Sequence, residues 1–346
     1  MKNLILLPVV LLLAAGCYRT PVRPVPPFVQ PPVQASESVI SARAAQMKQI
    51  LAPCRVRGIG INVAAVVEEI DHDKLVGLIK KLGFNRLYCL VSSEVQLDGD
   101  LKDLVCTAVR AGLPVEIVLR QRDFYRHNQA NRFLRHILPQ YHNVVDAAGK
   151  VAKFNRGLPE GVKLAGVTVF IEPHIYNNSH AAYAIGQLYR WSPETYGVNG
   201  DNDMLLRSAV DSVRKLKGFE SIPQVTVAVP DFYHEKGMDG GLSCGRIRDF
   251  EALTGQVVIV NSGNVPSQLH KNIEKELADA SGRKNVMVAI NIAQHTSVSR
   301  DALRRRNWSD FARAVHYAVG KYSKYPSFGG IVISPLSLVE FMRLEK

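Results

Sequence analysis

The sequence predicts a single parallel (β/α)8 barrel preceded by a secretory leader and a proline-rich tether. Three observations lead there: eight short apolar runs, helical patterns between them, and an amino terminus laid out unlike the rest of the chain.

The amino terminus, "MKNLILLPVVLLLAAGC", has one Lys, then an apolar stretch of about a dozen residues, then small residues ending at Cys17. This stretch is shorter than the ~20 residues of a membrane-spanning helix and has the layout of a secretory signal. Ala14-Ala15-Gly16-Cys17 also resembles a bacterial lipobox, with Ala14 where Leu is commoner. The resemblance implies cleavage before Cys17 and acylation of its thiol; a plain signal peptide with an incidental Cys is the other reading. Each buried methylene contributes about 0.8 kcal/mol, so several acyl chains hold a protein stably on a bilayer. Tyr18 in place of Asp favours the outer membrane of a Gram-negative cell.

The expected divisions are therefore a signal peptide at 1–16, a lipidated linker at 17–36 and the barrel domain at 37–346. "YRTPVRPVPPFVQPPVQ" is too rich in Pro to pack and serves as an extended spacer of about 3 Å per residue. "ESVISARAAQMKQILA" (37–52) has helical spacing and opens the globular part, within which no second linker interrupts the chain.

The predicted strands are "GIGINVAAV" (58–66), "NRLYCLV" (85–91), "PVEIVLR" (114–120), "GVTVFIE" (166–172), "QVTVAVP" (224–230), "QVVIVNS" (256–262), "VMVAINI" (286–292) and "GGIVISP" (329–335). Between them run helical patterns such as "DKLVGLIKKLG", "DLKDLVCTAVRAG", "DNDMLLRSAVDSVRKLKG", "QLHKNIEKELADASG" and "DFARAVHYAVGKYSKY". Strands apolar on both faces are buried on both faces, which points to a parallel sheet covered by helices. Eight such units in one domain close most simply into a barrel, with an open doubly wound sheet as the alternative.

The formal net charge is +12, from 43 Lys and Arg against 31 Asp and Glu, and removing the leader takes away only Lys2. Outside the cytoplasm a basic surface favours anionic glycans, headgroups or wall polymers, and nucleic acid is excluded by compartment. "RQRDFYRHNQANRFLRH" (120–136) interleaves cations with aromatics and suits an acidic ligand or a solvated helix face equally. Cys54, Cys89, Cys106 and Cys244 lack the paired spacing of a zinc site; buried free thiols are expected, with a Cys89–Cys106 bridge as the alternative.

In a (β/α)8 barrel the reactive groups stand at the C-terminal strand ends. That rule selects Glu172 and His174 after strand four, Arg120 and Arg122 after strand three, and Asp231 and His234 after strand five. It adds Asn261 and Asn264 after strand six, and Asn291, Gln294 and His295 after strand seven. "HEKGMDGGLSCG" (234–245) has the glycine content of a moving lid. Each residue also has a structural reading: a strand-end Glu caps the next helix, and a His satisfies a buried carbonyl. Gly58 and Gly60 lead into a strand, not out of one, which argues against a phosphate loop. Glu172, His174, Asp231, His234 and His295 are chemically fit for zinc, but no His-x-x-x-His pair supports a site. No metal and no cofactor are expected.

These strand ends resemble a group of bacterial glycosidase-like TIM-barrel proteins, many of them secreted or lipid-anchored, over residues 58–342. "FIEPH" keeps Glu172 and Pro173 of a strand-four Asp-x-Glu-Pro motif, "VAVPDFYH" keeps Pro230, Phe232 and Tyr233, and "SFGGIVISP" keeps a Gly-Ile-x-Ile frame. The chain departs from the pattern at Phe170, Asn291 and Ser334, which stand where the group has Asp, Glu and His. Retaining hydrolysis needs two carboxyls about 5 Å apart, and inversion a wider pair. Asn291 cannot be a carboxylate nucleophile, so Glu172 keeps a partner only if Asp231 supplies one.

Three readings follow. The first is a lipid-anchored barrel binding a glycan or anionic envelope polymer with weak or no turnover, using Asn261, Asn291, His295, Phe232 and Tyr233 for hydroxyls and ring faces. The second is a hydrolase with Glu172 as general acid and Asp231 as base or nucleophile. The third is an envelope scaffold with no ligand site.

Overall fold

The computed structural model describes residues 37–63, 71–91, 97, 99–120, 142–171, 202–260, 271–291 and 308–334. Their eight strands pair in chain order, each parallel to the next, and close on themselves. They are β1 (Val56–Asn62), β2 (Arg86–Val91), β3 (Val115–Arg120), β4 (Gly166–Phe170), β5 (Val225–Pro230), β6 (Val257–Val260), β7 (Val286–Asn291) and β8 (Phe328–Ser334). Leader and tether lie outside the described residues.

The described helices are α1 (Glu37–Leu51), α2 (His72–Lys81), α3 (Gly99–Arg110), α4 (His142–Arg156), α5 (Asn202–Leu216), α6 (Tyr233–Met238), α7 (Ile247–Thr254), α8 (Lys271–Asp279) and α9 (Trp308–Tyr322). Most are amphipathic. In α2, for example, Leu75, Val76 and Ile79 are buried, at the i, i+1, i+4 spacing of one helix face, and the Asp71 side chain caps the N-terminus by accepting from the N–H groups of Asp73 and Lys74.

α1 precedes the first strand yet belongs to the helical ring, wedged between α9 and α2. Its Gln46 accepts from the Trp308 indole at 2.7 Å, and the Arg43 guanidinium lies over the Trp308 ring. On its other side Glu37 pairs with Lys81, and Lys48 packs on Gly83. Ala44, Met47 and Leu51 turn inward.

Two glycines make the closure possible. Gly330 has φ +145°, and a Cβ there would sit 1.8 Å from the Val56 carbonyl oxygen at the β8–β1 seam. At Gly58 a Cβ would come within 2.5 Å of the Tyr88 ring, which fills that space inside the barrel.

The segment at 233–246 differs from the expected lid. It forms α6 and a tight turn into α7, with Tyr233, His234 and Leu242 buried. Gly237 and Gly245 serve close packing: a Cβ at Gly245 would stand 2.8 Å from the Tyr233 carbonyl. Ser243 donates twice to Asp203 on α5, holding the turn down. All four described cysteines are free thiols. Burial pushes Cys54 and Cys89 up to about 12, so neither is a ready thiolate.

Candidate functional site

Two apolar clusters divide the strands' side chains. The larger lies between sheet and helices; the smaller, with Val56 at its N-terminal end and Tyr88, Val118, Ala228, Val258, Met287, Ala289 and Val332, fills the lumen. The strand registers, followed around the sheet, sort the luminal positions into levels of four from alternate strands.

At the N-terminal end come Arg86, Gly166, Gln256 and Gly330, then Gly58, Glu116, Thr226 and Met287. Here the lumen is polar and closed. Glu116, fully buried, binds Arg86 at 2.5 Å and accepts from the Thr168 hydroxyl at 2.5 Å. Burial opposes the charge on Arg86, but Glu116 beside it prevails and holds the guanidinium pKa above its ordinary value. Burial, reinforced by the Glu116 charge, likewise raises the Tyr88 phenol. Above lie Tyr88, Thr168, Val258 and Val332, then a level of mostly small residues, Gly60, Val118, Ala228 and Ala289.

The next level holds Leu90, Phe170, Val260 and Ser334. Leu90, Phe170 and Val260 are only half-buried, whereas the luminal residues just below them are buried. They form an apolar floor at the C-terminal end of the lumen. By backbone register, the positions of Asn62, Arg120, Pro230 and Asn291 make the level above it, the last described. Glu172 follows Phe170 by two residues and lies outside the described residues. So do His174, Arg122, Asn261, Asn264, Gln294 and His295.

Asp231, Phe232, Tyr233 and His234 are described, and the structure places them in the barrel–helix layer. β5 turns Ala228 inward and Val227 and Val229 outward, and Asp231 continues the outward set. It is fully buried, and its charge is felt by Glu276 on α8 and Tyr322 on α9. Burial, and then the Asp231 carboxylate, push Glu276 well above the ordinary carboxyl range, so this pair holds a proton away from the lumen. Phe232 meets Tyr233 edge-on at 5.1 Å, and Tyr233 stacks with Phe250 of α7 at 6.4 Å. His234 Nδ1 accepts from the Ile247 N–H at the start of α7, 3.4 Å away. Burial lowers the His234 pKa, with Asp279 opposing. In this conformation these four side chains offer no open surface to a ligand.

Sequence reasoning passed over Glu116, Glu276 and the apolar floor. Counting back by twos from Glu172 reaches Phe170, which would have marked the floor. Glu276 carries no such signal, because it sits on an ordinary amphipathic helix.

Fold and lumen together define a TIM barrel with a closed polar base and an apolar floor at the C-terminal end. No protein-family model and no curated protein matches the chain. Solved structures of similar backbone include a chitinase from Chromobacterium violaceum, 9% identical, aligned over 84% of this chain and 100% of that one, TM-score 0.45. A GH18 chitinase from Pseudoalteromonas aurantia is 13% identical over 82% of this chain and 94% of its own, TM-score 0.46. A beta-mannanase from the blue mussel Mytilus edulis is 10% identical over 83% and 91%, TM-score 0.44. Likeness at this level concerns the fold alone, and no residue role follows from it.

Proposed function

We propose that the chain is a lipid-anchored cell-envelope protein whose barrel mouth binds a glycan with weak or no turnover. The observation that carries this reading is the half-open floor of Leu90, Phe170 and Val260 beneath the strand-end positions of Asn62, Arg120 and Asn291. Apolar surface takes the carbon face of a sugar ring, and amides and guanidinium take its hydroxyls or carboxylates. Glu172, two residues past Phe170, serves as a ligand-binding carboxylate. Its expected partner Asp231 lies with Glu276 in the helical layer, which favours binding over two-carboxylate hydrolysis. Cys17 carries the anchor, the Pro-rich tract spaces the barrel from the membrane, and the outer membrane is the location in a Gram-negative cell.

Wild type, Glu172→Gln and Asn291→Glu are compared on envelope and mucin-type glycans for affinity and released reducing ends. Binding without release, weakened in Glu172→Gln, is the expected result. Release by wild type that vanishes in Glu172→Gln would replace this reading with a hydrolase, and neither binding nor release would leave a scaffold. Replacing Cys17 with Ser tests the anchor separately, through loss of membrane retention.

A further inference from the structure

The net charge is concentrated at one end of the barrel. Eight connections lead from the last turn of a helix to the next strand: 48–55, 78–85, 107–114, 153–165, 213–224, 251–256, 276–285 and 319–327. They carry fifteen Lys and Arg against five Asp and Glu. The segments after strands one to four and six to eight, at 64–70, 92–98, 121–141, 172–201, 261–270, 292–307 and 335–346, carry eleven of each. Burial sharpens the contrast. Thirteen of the fifteen basic residues are exposed, whereas among the acids only Glu160 and Glu220 are exposed.

Complementing helix dipoles accounts for part of this, since cations are favoured at helix C-termini. It does not account for Arg55, Lys163, Lys217, Arg283, Lys284 and Lys324, which lie beyond the helix ends. We infer that the base of the barrel is a docking face for anionic lipid headgroups, so that the barrel rests base-down and its mouth points away from the bilayer. Seven of the eight connections contribute cations. They surround the base as a ring and not as a stripe, which matches a planar charged surface better than a single polymer strand. Basic residues held near an anionic leaflet act additively and lose force within a Debye length. The inference takes membrane proximity from the proposed anchor, but its test does not use the anchor.

A chain beginning at Gln34 keeps every described strand and helix and lacks Cys17. Its sedimentation with phosphatidylglycerol-containing vesicles is compared with that on pure phosphatidylcholine. Two fivefold variants of equal charge change follow. One reverses Arg55, Arg110, Lys153, Lys215 and Arg283 to Glu at the base; the other reverses Lys74, Lys102, Lys150, Arg207 and Arg313 to Glu elsewhere on the helices. Circular dichroism checks that both are folded. The expected result is salt-sensitive binding to anionic vesicles alone, weakened about a hundredfold or more in the base variant and clearly less in the other. No binding by the parent chain, or equal loss in both variants, overturns the inference. Binding to a soluble polyanion such as heparin but not to vesicles also overturns it, in favour of an anionic polymer.

Discussion

The two ends of the barrel are built by different means. At the base, polar side chains bind one another: Glu116 holds Arg86 and Thr168, and three asparagines clamp neighbouring connections. Asn85 accepts from the Arg57 N–H at 2.8 Å and donates to the Arg55 carbonyl at 2.9 Å. Asn155 joins Leu164 to Ser221, and Asn285 donates to the Gly255 carbonyl. At the C-terminal end the described lumen offers a half-buried apolar floor with small residues beneath it. Hydrogen-bonded polar groups specify structure at the base, although Thr226 Oγ1, Gln256 Oε1 and Asn285 Oδ1 are buried there without a hydrogen-bond partner among the described residues, whereas partly exposed apolar surface is available to a ligand. Stability should therefore be most sensitive at the base and recognition at the mouth.

The sharpest way to break that contrast is Glu116→Leu. It leaves the Arg86 guanidinium without its buried partner and is expected to cost about 3 kcal/mol in urea unfolding, while glycan affinity in the surviving folded protein stays close to wild type. An unfolding midpoint equal to wild type would show that the base network does not hold the barrel. Phe170→Ala should reverse the pattern. Its side chain is only partly buried, so the expected stability loss is about 1–2 kcal/mol, below that of a sealed core Phe, while glycan affinity falls about tenfold. Undiminished affinity would remove the floor from the binding site.

A third test concerns Glu276, away from both ends, and is read as a pH dependence. Its folded pKa is raised by burial and by Asp231. At acid pH, below the unfolded value of about 4.3, both states are protonated and the residue is neutral for stability. As pH rises through that value the unfolded chain releases the proton and the folded chain keeps it, so wild type loses stability toward its raised folded pKa. Glu276→Gln should match wild type near pH 4 and exceed it increasingly at neutral pH in thermal melts. A constant difference across pH would mean that the Asp231–Glu276 pair does not hold the proton.

Much of the fold was legible in the residues. Eight Val- and Ile-rich runs too apolar for one-sided strands required a sheet buried on both faces, and the helices between them showed their buried stripes. Helix α4 and the α6–α7 turn were not legible. "HNVVDAAGKVAKFNR" mixes its apolar residues with Gly and Asn, and Gly237 and Gly245 read as freedom when they serve close contact. The same two-sided burial that revealed the barrel concealed the site. In "VTVAVP" and "GVTVF" both faces are apolar, so alternation alone cannot say which residues look into the lumen. A one-residue change of register would exchange Phe170 for Ile171 and Pro230 for Asp231. Only closure of the sheet, through hydrogen bonds between residues far apart in the chain, decided that Phe170 forms the floor and that Asp231 turns outward to Glu276.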